Sequence, residues 1–588
     1  MPGITNYRIG YTEEEKEILK TFFSSQGNVF IIYPLLNIQI ITALIARYSR
    51  STELSIQKLF LKEFYPNMDL QEVELKRKLN KISYNNYDKK TMEIINRILG
   101  EYGDDSVAEV PNVAIGLEGM DQLTIKYIEG HRLFSGIEKS TRYIDYSLPL
   151  KLDNEGNIIG YDKERVSKFY LYKVPKAIAD SNKKEWYEQV MDELFEFYKK
   201  TELEVKKKLK EDEPLENQKF PDDNGNMLEY NKLSEEHKIS AKRAYEKAIE
   251  AKSYDICRSI LPLATLTNMG LSENFRVLRE TIAEMFASPN NEVKEIGEKM
   301  YNELENYAPN LINWLKNKHG QNYISNLKKR NGKEIIKTLL EQSIKEYVEN
   351  GHKIEYNDKE LNILRKENEE QNINEIVTNF LYPTTNLEYS ELKKIVESNE
   401  ELKRKVFDEI IKLRGDNRRN KIGAEGSGIN YKIEFIIPIS IWRDLQRHRN
   451  LTQIRQEFTI FNGYEIPKVI DDLGYGGEFI DKMNRVNELF IDLYANEKLK
   501  PYAQDVVTFA HKIKTVFMAD LPELTWIIEL RTSKGGDDRY RRLMYNLYED
   551  LKKEQLNLSS VMRHVSPYDI NETNLTRLYN LYKKKSNQ

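Results

Sequence analysis

The sequence predicts a chain of two similar domains, each combining β-strands with α-helices. At 588 residues the chain is too long for one hydrophobic core. A strand-like apolar run, a short helical run and a His-Arg loop occur in this order twice, about three hundred residues apart. So long a period indicates duplication of a whole domain rather than a short-period solenoid.

The elements of the first half follow from apolar patterning and turn residues. They are listed in chain order: a strand at 29–33, a helix running through Arg47, a helix at 91–99, a Gly- and Asp-rich turn at 100–106, a strand at 113–117 and a helix at 120–128. The last helix delivers His131 and Arg132 to a loop.

The second half repeats the order. Residues 433–437 alternate and are rich in β-branched side chains, which predicts a strand. Pro438 is expected to end that strand, and Ser440 is a candidate N-cap for a short helix at 441–446. This helix delivers Arg447, His448 and Arg449, as its counterpart delivers the first His-Arg pair.

Between the two loops lies an expected helical insertion, about residues 151–252, with a loop at 214–226 and no catalytic pattern. A charged stretch at 316–370 also favours helices and is expected to contain the junction between repeats. We therefore predict a first repeat at 1–350, including the insertion, and a second repeat at 356–588.

Composition favours a soluble globular protein. Hydrophobic residues make up 40% and charged residues 31% of the chain. A net charge of −4 and a pI of about 6.2 argue against bulk binding to nucleic acid or anionic membranes. The longest apolar stretch, 29–46, contains Pro34, Asn37 and Gln39, so it predicts a strand and a core helix rather than a membrane span. With no recognisable signal peptide, a cytoplasmic location is expected.

Cys257 is the only cysteine, which excludes an intrachain disulfide and a multi-thiolate metal site, and no metal is expected. It stands beside Arg258 in an apolar run, so a packed thiol is favoured over a nucleophile.

The first His-Arg loop has the residue types of a phosphate site. Arginine offers a planar fork of donors suited to phosphate and to the edge of a base. Ser135, Gly136 and Ser140 are small enough for backbone N–H groups to turn toward an anion. Glu138 and Arg142 are four residues apart, so one can orient the other. These features fit a nucleoside monophosphate; the alternative is a surface ion-pair cluster after a helix.

Both loops resemble the motif of the flavin-dependent thymidylate synthases, in which Arg-His-Arg is followed by seven residues and a serine. The first copy keeps the serine, Ser140, but has Gly130 in place of the leading arginine. The second keeps Arg447, His448 and Arg449 but has Glu457 in place of the serine. The losses are complementary, which suggests active sites composed from both repeats.

Further segments resemble the same family. In the first half, residues 103–109 resemble the family's Gly-His-x-Ser-Val-x-Glu block, with Asp104 in place of the histidine. Glu138 to Tyr143 match its Glu-x-Ser-x-Arg-Tyr segment in full. Arg258 to Pro262 resemble its Arg-x-x-Leu-Pro element, and Asn274 to Arg276 its Asn-x-Arg element. In the second half, Gln504 and Asp520 to Pro522 replace the last two, whereas Leu530-Arg531 matches a segment that the first half lacks.

The resemblance implies an α+β fold, with two tandem domains of this kind in one chain. It also implies a homotetramer in the ordinary family, so a duplicated chain is expected to form a homodimer of pseudo-tetrameric symmetry. The implied activity is reductive methylation of dUMP to dTMP with methylenetetrahydrofolate, FAD and NADPH.

By the same resemblance the site residues divide into three roles. Catalysis is assigned to Arg531 and Ser140; substrate binding to Glu138, Ser140, Arg142, Tyr143, Arg258, Arg447 and Arg531; and cofactor binding to Ser106, Glu109, His131, Arg132, Asn274, Arg276, His448 and Arg449.

Two alternatives stay open. The substitutions at Gly130, Glu457 and Asp104 fit a pseudoenzyme or scaffold of the same fold. The altered pocket charge from Glu457 and Asp104 also fits a flavin enzyme that modifies another pyrimidine nucleotide.

Overall fold

The computed structural model of the chain describes residues 3–83, 93–94, 97, 105–222, 226–332, 334–354, 359–365, 368–569, 575, 578 and 581–582. The helix predicted at 91–99 and the turn predicted at 100–106 fall largely outside these residues. So do positions 103 and 104, including the Asp104 that replaces the family's histidine.

Eight of the described strands form two four-stranded sheets of one topology, and four others form two hairpins. In chain order they are β1 (Val29–Ile32), β2 (Asn112–Asp121), β3 (Gly136–Glu138), β4 (Leu150–Leu152), β5 (Ile158–Tyr161), β6 (Lys219–Pro221), β7 (Met227–Glu229), β8 (Leu266–Asn274), β9 (Leu361–Arg365), β10 (Asn430–Pro438), β11 (Thr452–Arg455) and β12 (Lys512–Asp520). The sheet orders are β1-β2-β8-β3 and β9-β10-β12-β11, and all pairs are antiparallel. Numbered along the chain within each sheet, the four strands of both sheets thus lie side by side in the order first, second, fourth, third.

The described residues of both halves also contain helices. The first half contains α1 (Glu13–Phe22), α2 (Ile38–Tyr48), α3 (Ile56–Leu59), α4 (Leu70–Ser83), α5 (Gln122–Glu129), α6 (Lys176–Ala179), α7 (Lys184–Asp212), α8 (Glu235–Cys257), α9 (Phe275–Ala287), α10 (Asn291–Tyr307), α11 (Pro309–Ile312), α12 (Lys318–Gly332) and α13 (Glu334–Glu349). The second half contains α14 (Glu369–Leu381), α15 (Tyr389–Ser398), α16 (Glu400–Leu413), α17 (Ile439–Leu445), α18 (Lys468–Ile470), α19 (Gly476–Ala495), α20 (Leu521–Thr532), α21 (Asp538–Glu554) and α22 (Leu556–Ser559). Helices with antiparallel sheets confirm the mixed α and β character expected.

The strand-to-helix junctions set where each His-Arg loop begins. β2 runs further than predicted, to Asp121, whose side chain accepts from the Thr124 N–H at 2.7 Å and caps α5. In the second half Pro438 occupies the N-cap of α17, so the prediction of Ser440 as the cap is wrong. The amides of Ile439 and Ser440 donate instead to backbone carbonyls of the 509–511 segment, which satisfies the first turn without a side-chain cap.

The segment between β3 and β8 contains more than helices. α7 is 29 residues long, and α8 ends at the buried Cys257. Two hairpins, β4-β5 and β6-β7, accompany them. The predicted loop at 214–226 is partly wrong, because β6 lies within it. That this segment is an insertion relative to the family stays a prediction.

The chain divides into two compact units that do not follow the midpoint of the sequence. Unit 1 comprises Met1–Glu202, Ile260–Tyr356 and Tyr475–Thr508; unit 2 comprises Leu203–Ser259, Asn357–Gly474 and Phe509–Gln588. Unit 1 contains the first sheet together with α19 of the second half, and unit 2 contains the second sheet together with α8 of the first half. Each unit therefore draws on both halves of the sequence.

Unit 1 builds its core where the first sheet packs against helices. Buried side chains of β2, β8, α9 and α10, such as Ile115, Leu271, Leu278 and Met300, form one cluster. The helices that flank the first His-Arg loop are thereby fixed on a packed base. Within the described residues, no helix has the length and apolar composition needed to span a membrane.

Candidate functional site

In unit 1 the His-Arg loop meets the first turns of α9. His131 Nε2 lies 3.1 Å from Glu280 Oε2. The Arg276 guanidinium pairs with Glu109 and lies 3.7 Å from Glu280 Oε1. Three residues predicted to bind cofactor, Glu109, His131 and Arg276, are therefore joined into one cluster through Glu280.

This cluster gives His131 an acidic environment. Burial lowers the pKa of His131, but the hydrogen bond to Glu280 and the charges of Glu284, Glu280 and Glu273 outweigh it, so the pKa lies above the usual value. The Glu280 pKa is lowered, chiefly by the same hydrogen bond. His131 Nδ1 is buried and has no hydrogen-bond partner among the described residues. One ring nitrogen is thus oriented by a carboxylate, and the other is unsatisfied among the described residues.

The remaining predicted cofactor residues of unit 1 lie on neighbouring elements. Asn274 caps α9 through the Val277 N–H at 3.0 Å, so its side-chain oxygen is already used. Ser106 belongs to the short helical turn that also carries Glu109, and both are exposed. Arg132 is exposed next to His131.

Glu138, a predicted substrate residue, is held inside the protein. Its Oε1 accepts from Gln122 Nε2 at 2.9 Å and its Oε2 from Lys126 Nζ at 2.8 Å. The side chains of Glu138 and Lys126 are 1% and 0% exposed. A buried carboxylate that accepts two hydrogen bonds is suited to fixing the loop that begins with it.

Beyond Glu138, residues Ser140, Arg142 and Tyr143 are partly or fully exposed, whereas Lys139 between them and Glu138 is buried. The Ser140 amide donates to the Ser49 carbonyl at 3.0 Å, and the Ser140 hydroxyl lies 3.4 Å from the Arg142 amide. Ser140 and Arg142 are half-buried, and Tyr143 is 38% exposed. The loop thus presents a hydroxyl, a guanidinium and an aromatic ring in sequence above a fixed base.

The equivalent loop in unit 2 has a different arrangement. His448 is buried, and its Nε2 accepts from Arg531 Nε at 2.9 Å. Its Nδ1 lies 3.4 Å from Glu523 Oε1. The Arg531 guanidinium also lies over the Tyr540 ring, 5.4 Å from its centroid. The structure therefore brings together His448 and Arg531, which were predicted to bind cofactor and substrate.

Burial, the dominant effect, lowers the pKa of His448. The hydrogen bond and charge of Glu523 oppose the shift, whereas Arg531 and Lys421 reinforce it. A guanidinium is always a donor, so His448 Nε2 must be the acceptor and the ring proton must lie on Nδ1, toward Glu523. Both ring nitrogens of His448 are engaged within the protein.

Arg258 is surrounded by carboxylates. It is 3% exposed, and its Nη2 lies 3.1 Å from Asp444 Oδ2 and 3.0 Å from Asp537 Oδ2. Asp255 adds a third carboxylate at 3.5 Å. Although it precedes the midpoint of the sequence, Arg258 belongs to unit 2. Its role at the substrate phosphate stays a prediction, and here its described partners are anions of the protein.

Two of these carboxylates border a cavity of about 660 Å³ in unit 2. Asp255 and Asp537 line it, together with Arg539, Glu465 and Tyr568. The Arg539 guanidinium pairs with Asp537 at 3.1 Å, so the cationic wall is also neutralised internally.

The altered motif positions differ in exposure and in packing. Gly130 ends α5, and a Cβ there would lie 3.2 Å from the Tyr127 carbonyl and 3.3 Å from the Lys126 carbonyl. Glu457, Arg447 and Arg449 are all exposed. The structure therefore places the two arginines of the second motif on the surface of unit 2.

Several residues that shape these sites were not singled out from the sequence. Glu280 and Glu284 follow Arg276 on one face of α9 at four-residue spacing, a pattern that was available. Lys126, Asp444 and Asp537 had no motif to mark them, because their partners are distant in sequence.

The chain is similar to long proteins from two kinds of organism. The UPF0159 protein of Thermoplasma acidophilum is 26% identical over 531 residues, which is 90% of this chain and 95% of that protein. The UPF0159 protein of Chlamydia muridarum is 25% identical over 596 aligned residues, covering 98% and 99% of the two chains. A solved structure of the flavin-dependent thymidylate synthase of Helicobacter pylori, complexed with FAD and dUMP, aligns to 35% of this chain and 100% of its own, at 12% identity and a TM-score of 0.26.

The family model described as "thymidylate synthase complementing protein" matches residues 43–310 and 363–555. These two segments contain β2, β3 and β8 of the first sheet, β10, β11 and β12 of the second, both His-Arg loops and the helices that follow β8 and β12. Together they cover most of the chain, one segment in each half. The chain belongs to the flavin-dependent thymidylate synthase family.

Proposed function

We propose that this protein is a flavin-dependent thymidylate synthase that converts dUMP to dTMP with methylenetetrahydrofolate and NADPH. The observation that carries the proposal is the match of the family to both repeats, combined with two different side-chain clusters at equivalent places. Glu109, His131 and Arg276 cluster in unit 1, and His448 and Arg531 cluster in unit 2.

The residues of unit 1 fit a flavin with a phosphate-bearing tail. His131 Nδ1 is a buried polar atom that lacks a partner among the described residues, and Arg132 and Arg276 are exposed cations beside it. A cofactor with ring acceptors and phosphates matches such a donor set. Bound FAD would supply the hydride that reduces the transferred carbon.

The protein's own contribution is positioning and electrostatics. Ser140 and Arg142 would hold the dUMP phosphate, because a hydroxyl and a guanidinium are both donors and Glu138 fixes the loop beneath them. Arg531, oriented by His448 and Tyr540, would polarise the uracil carbonyl edge. We propose that full activity requires residues of both repeats, and that the protein works as a homodimer.

The test starts with the purified protein. A bound flavin gives a yellow solution, and NADPH should bleach its absorbance. Adding dUMP and methylenetetrahydrofolate should then restore the absorbance, with one dTMP formed for each flavin that is oxidised again. Flavin reduction without dTMP formation would instead support a flavin enzyme acting on another pyrimidine nucleotide.

A second candidate is a pseudoenzyme that keeps the fold and binds nucleotide without turnover. The carboxylates around Arg258 favour it, because that arginine has protein anions where the family would present it to a phosphate. Binding of dUMP and FAD, with neither reduction of the flavin by NADPH nor formation of dTMP, would establish this alternative.

A further inference from the structure

Lys139 is a buried lysine in the middle of the loop proposed to bind the substrate. It stands between Glu138 and Ser140, and only 3% of its surface is exposed. Its ammonium donates to the Glu53 backbone carbonyl and lies 4.9 Å from the centroid of the Tyr48 ring. No carboxylate among the described residues lies within ion-pair distance of it. Lysines are rarely buried in this way.

Such a burial destabilises the charged form. Desolvation lowers the pKa of Lys139 to about 7, and the negative charges of Glu118 and Glu53 only partly oppose this. A methionine has a similar length and needs no hydration, so it would fill the same space without the cost. Stability alone therefore does not account for a lysine here.

The contacts of Lys139 join the loop to one neighbouring segment. Its ammonium binds the carbonyl of Glu53, and the next residue, Ser140, donates its amide to the carbonyl of Ser49. The Lys139 amide donates to the Asn268 carbonyl of β8 at 2.8 Å. The loop is thus anchored to the sheet through its backbone and to residues 49–53 through the lysine side chain.

We propose that Lys139 is a positioning residue, whose protonated side chain holds the 138–142 loop against residues 49–53 and so presents Ser140 and Arg142 to the nucleotide phosphate. This inference rests on the proposed function, since dUMP is the ligand that the loop would bind. It requires no contact between Lys139 and the substrate.

The experiment compares Lys139→Met with the wild type in three measurements on the full-length protein. Calorimetric titration should show dUMP binding weakened by about tenfold or more, the loss expected for one charge-assisted hydrogen bond. FAD affinity should stay within about twofold. The thermal unfolding midpoint should rise or stay level, because the buried charge is gone.

Lys58→Met is the matched control. Lys58 is another lysine of unit 1 that lies over a tyrosine, 4.7 Å from the Tyr11 centroid, and it pairs with Glu15 away from the loop. Its loss should leave dUMP binding unchanged.

The pH dependence of dUMP binding supplies a second test. Groups that act on Lys139 are Glu118, Glu53 and the Tyr48 ring, and the small cavity beside it is lined by Tyr7, Tyr146 and Tyr161. Raising the pH through the Lys139 pKa, near 7, should weaken dUMP binding in the wild type, and the difference from Lys139→Met should shrink. Burial raises the pKa of Glu118 to about 8, so Glu118 titrates in a similar range in both proteins, and only a step that the variant lacks is assigned to Lys139.

The outcomes separate the two proposals. If the wild type fails to bind dUMP, the proposed function is overturned and this inference with it. If the wild type binds dUMP and Lys139→Met binds it equally well, only the role of Lys139 is overturned. A variant that loses dUMP binding together with a lowered unfolding midpoint, without the pH step in the wild type, would show a purely structural lysine.

Discussion

The two His-Arg loops begin at the same place in the two sheets and have opposite chemistry. His131 follows the end of β2, and His448 the end of β10, by ten residues each. His131 meets carboxylates and has a raised pKa, with Nδ1 left unpartnered among the described residues. His448 meets Arg531 and Glu523, has a lowered pKa, and uses both nitrogens.

The difference shows that two copies of one motif can be held in different electrostatic environments. The backbone keeps the histidine at the same position, while the helix after the fourth strand decides its partner. In unit 1 that helix presents Glu280, and in unit 2 it presents Glu523 and Arg531. In the first loop one histidine nitrogen lacks a partner among the described residues, whereas in the second loop both nitrogens are engaged and the ring supports an arginine. That the two motifs complete one another stays a prediction.

The largest expected effect tests whether the charge of Arg258 in unit 2 is neutralised by the carboxylates that surround it. Arg258→Met should lower the free energy of unfolding by about 3–5 kcal/mol, since it strands Asp444, Asp537 and Asp255 without their cation. Chemical denaturation monitored by circular dichroism measures it. Arg276→Met, which removes an arginine that is 46% exposed, should cost at most about 1 kcal/mol.

A stable Arg258→Met protein that no longer binds dUMP would reverse this interpretation. It would place Arg258 at the dUMP phosphate, as its Arg-x-x-Leu-Pro segment predicts. The ion pairs of Arg258 with the three aspartates would then contribute little to stability.

The second prediction tests the open loop of unit 1. Arg142→Ala should weaken dUMP binding by about 1.5–3 kcal/mol, the value of a hydrogen bond to a charged group, and leave FAD binding and stability nearly unchanged. Calorimetric titration with each ligand measures this. Arg132→Ala is the control, because it removes an exposed arginine assigned to the cofactor and should affect FAD more than dUMP.

The third prediction tests whether the repeats act on one ligand. Ser140→Ala and Arg447→Ala should each weaken dUMP or FAD binding, and a double-mutant cycle should show coupling of about 0.5–3 kcal/mol. Gly130→Ala, at the altered position of the first motif, should leave turnover near wild type if the loop accepts a Cβ that lies 3.2 Å from the Tyr127 carbonyl. Additive effects of the first pair would mean that the residues serve different sites.

Local sequence patterns predicted the strands and helices that surround the motifs. Features that depend on contacts between residues distant in sequence were not predicted. The strands around 113–117 and 433–437, the helices that follow them and the packed Cys257 are present. Ser440 was a wrong cap because backbone carbonyls from residues 509–511 bond the first amides of α17, which no local pattern reveals.

Local sequence patterns also do not predict which segments belong to each compact unit. The predicted repeat boundary near residue 350 stays a prediction. The compact units divide the chain differently, because unit 1 includes Tyr475–Thr508 and unit 2 includes Leu203–Ser259. Helical periodicity shows that α8 and α19 have apolar faces, but it does not show which apolar surface covers them. Arg258 is found with Asp444 and Asp537 for this reason, whereas the sequence grouped it with the first repeat.

The smallest effect sharpens the comparison of the two histidines. In NMR of protein with ¹⁵N-labelled histidine, His131 should titrate above 6.5 and His448 below it. The raised His131 pKa means that its contact with Glu280 stabilises the fold fully below about pH 6.5 and is lost as the pH rises through the folded pKa. The lowered His448 pKa has the opposite sign, because protonating a buried, doubly engaged ring destabilises the fold as the pH falls below 6.5. Glu280→Gln should lower the His131 pKa and leave His448 unchanged. Equal pKa values for the two histidines would remove the electrostatic difference between the repeats and leave only their motif residues to distinguish them.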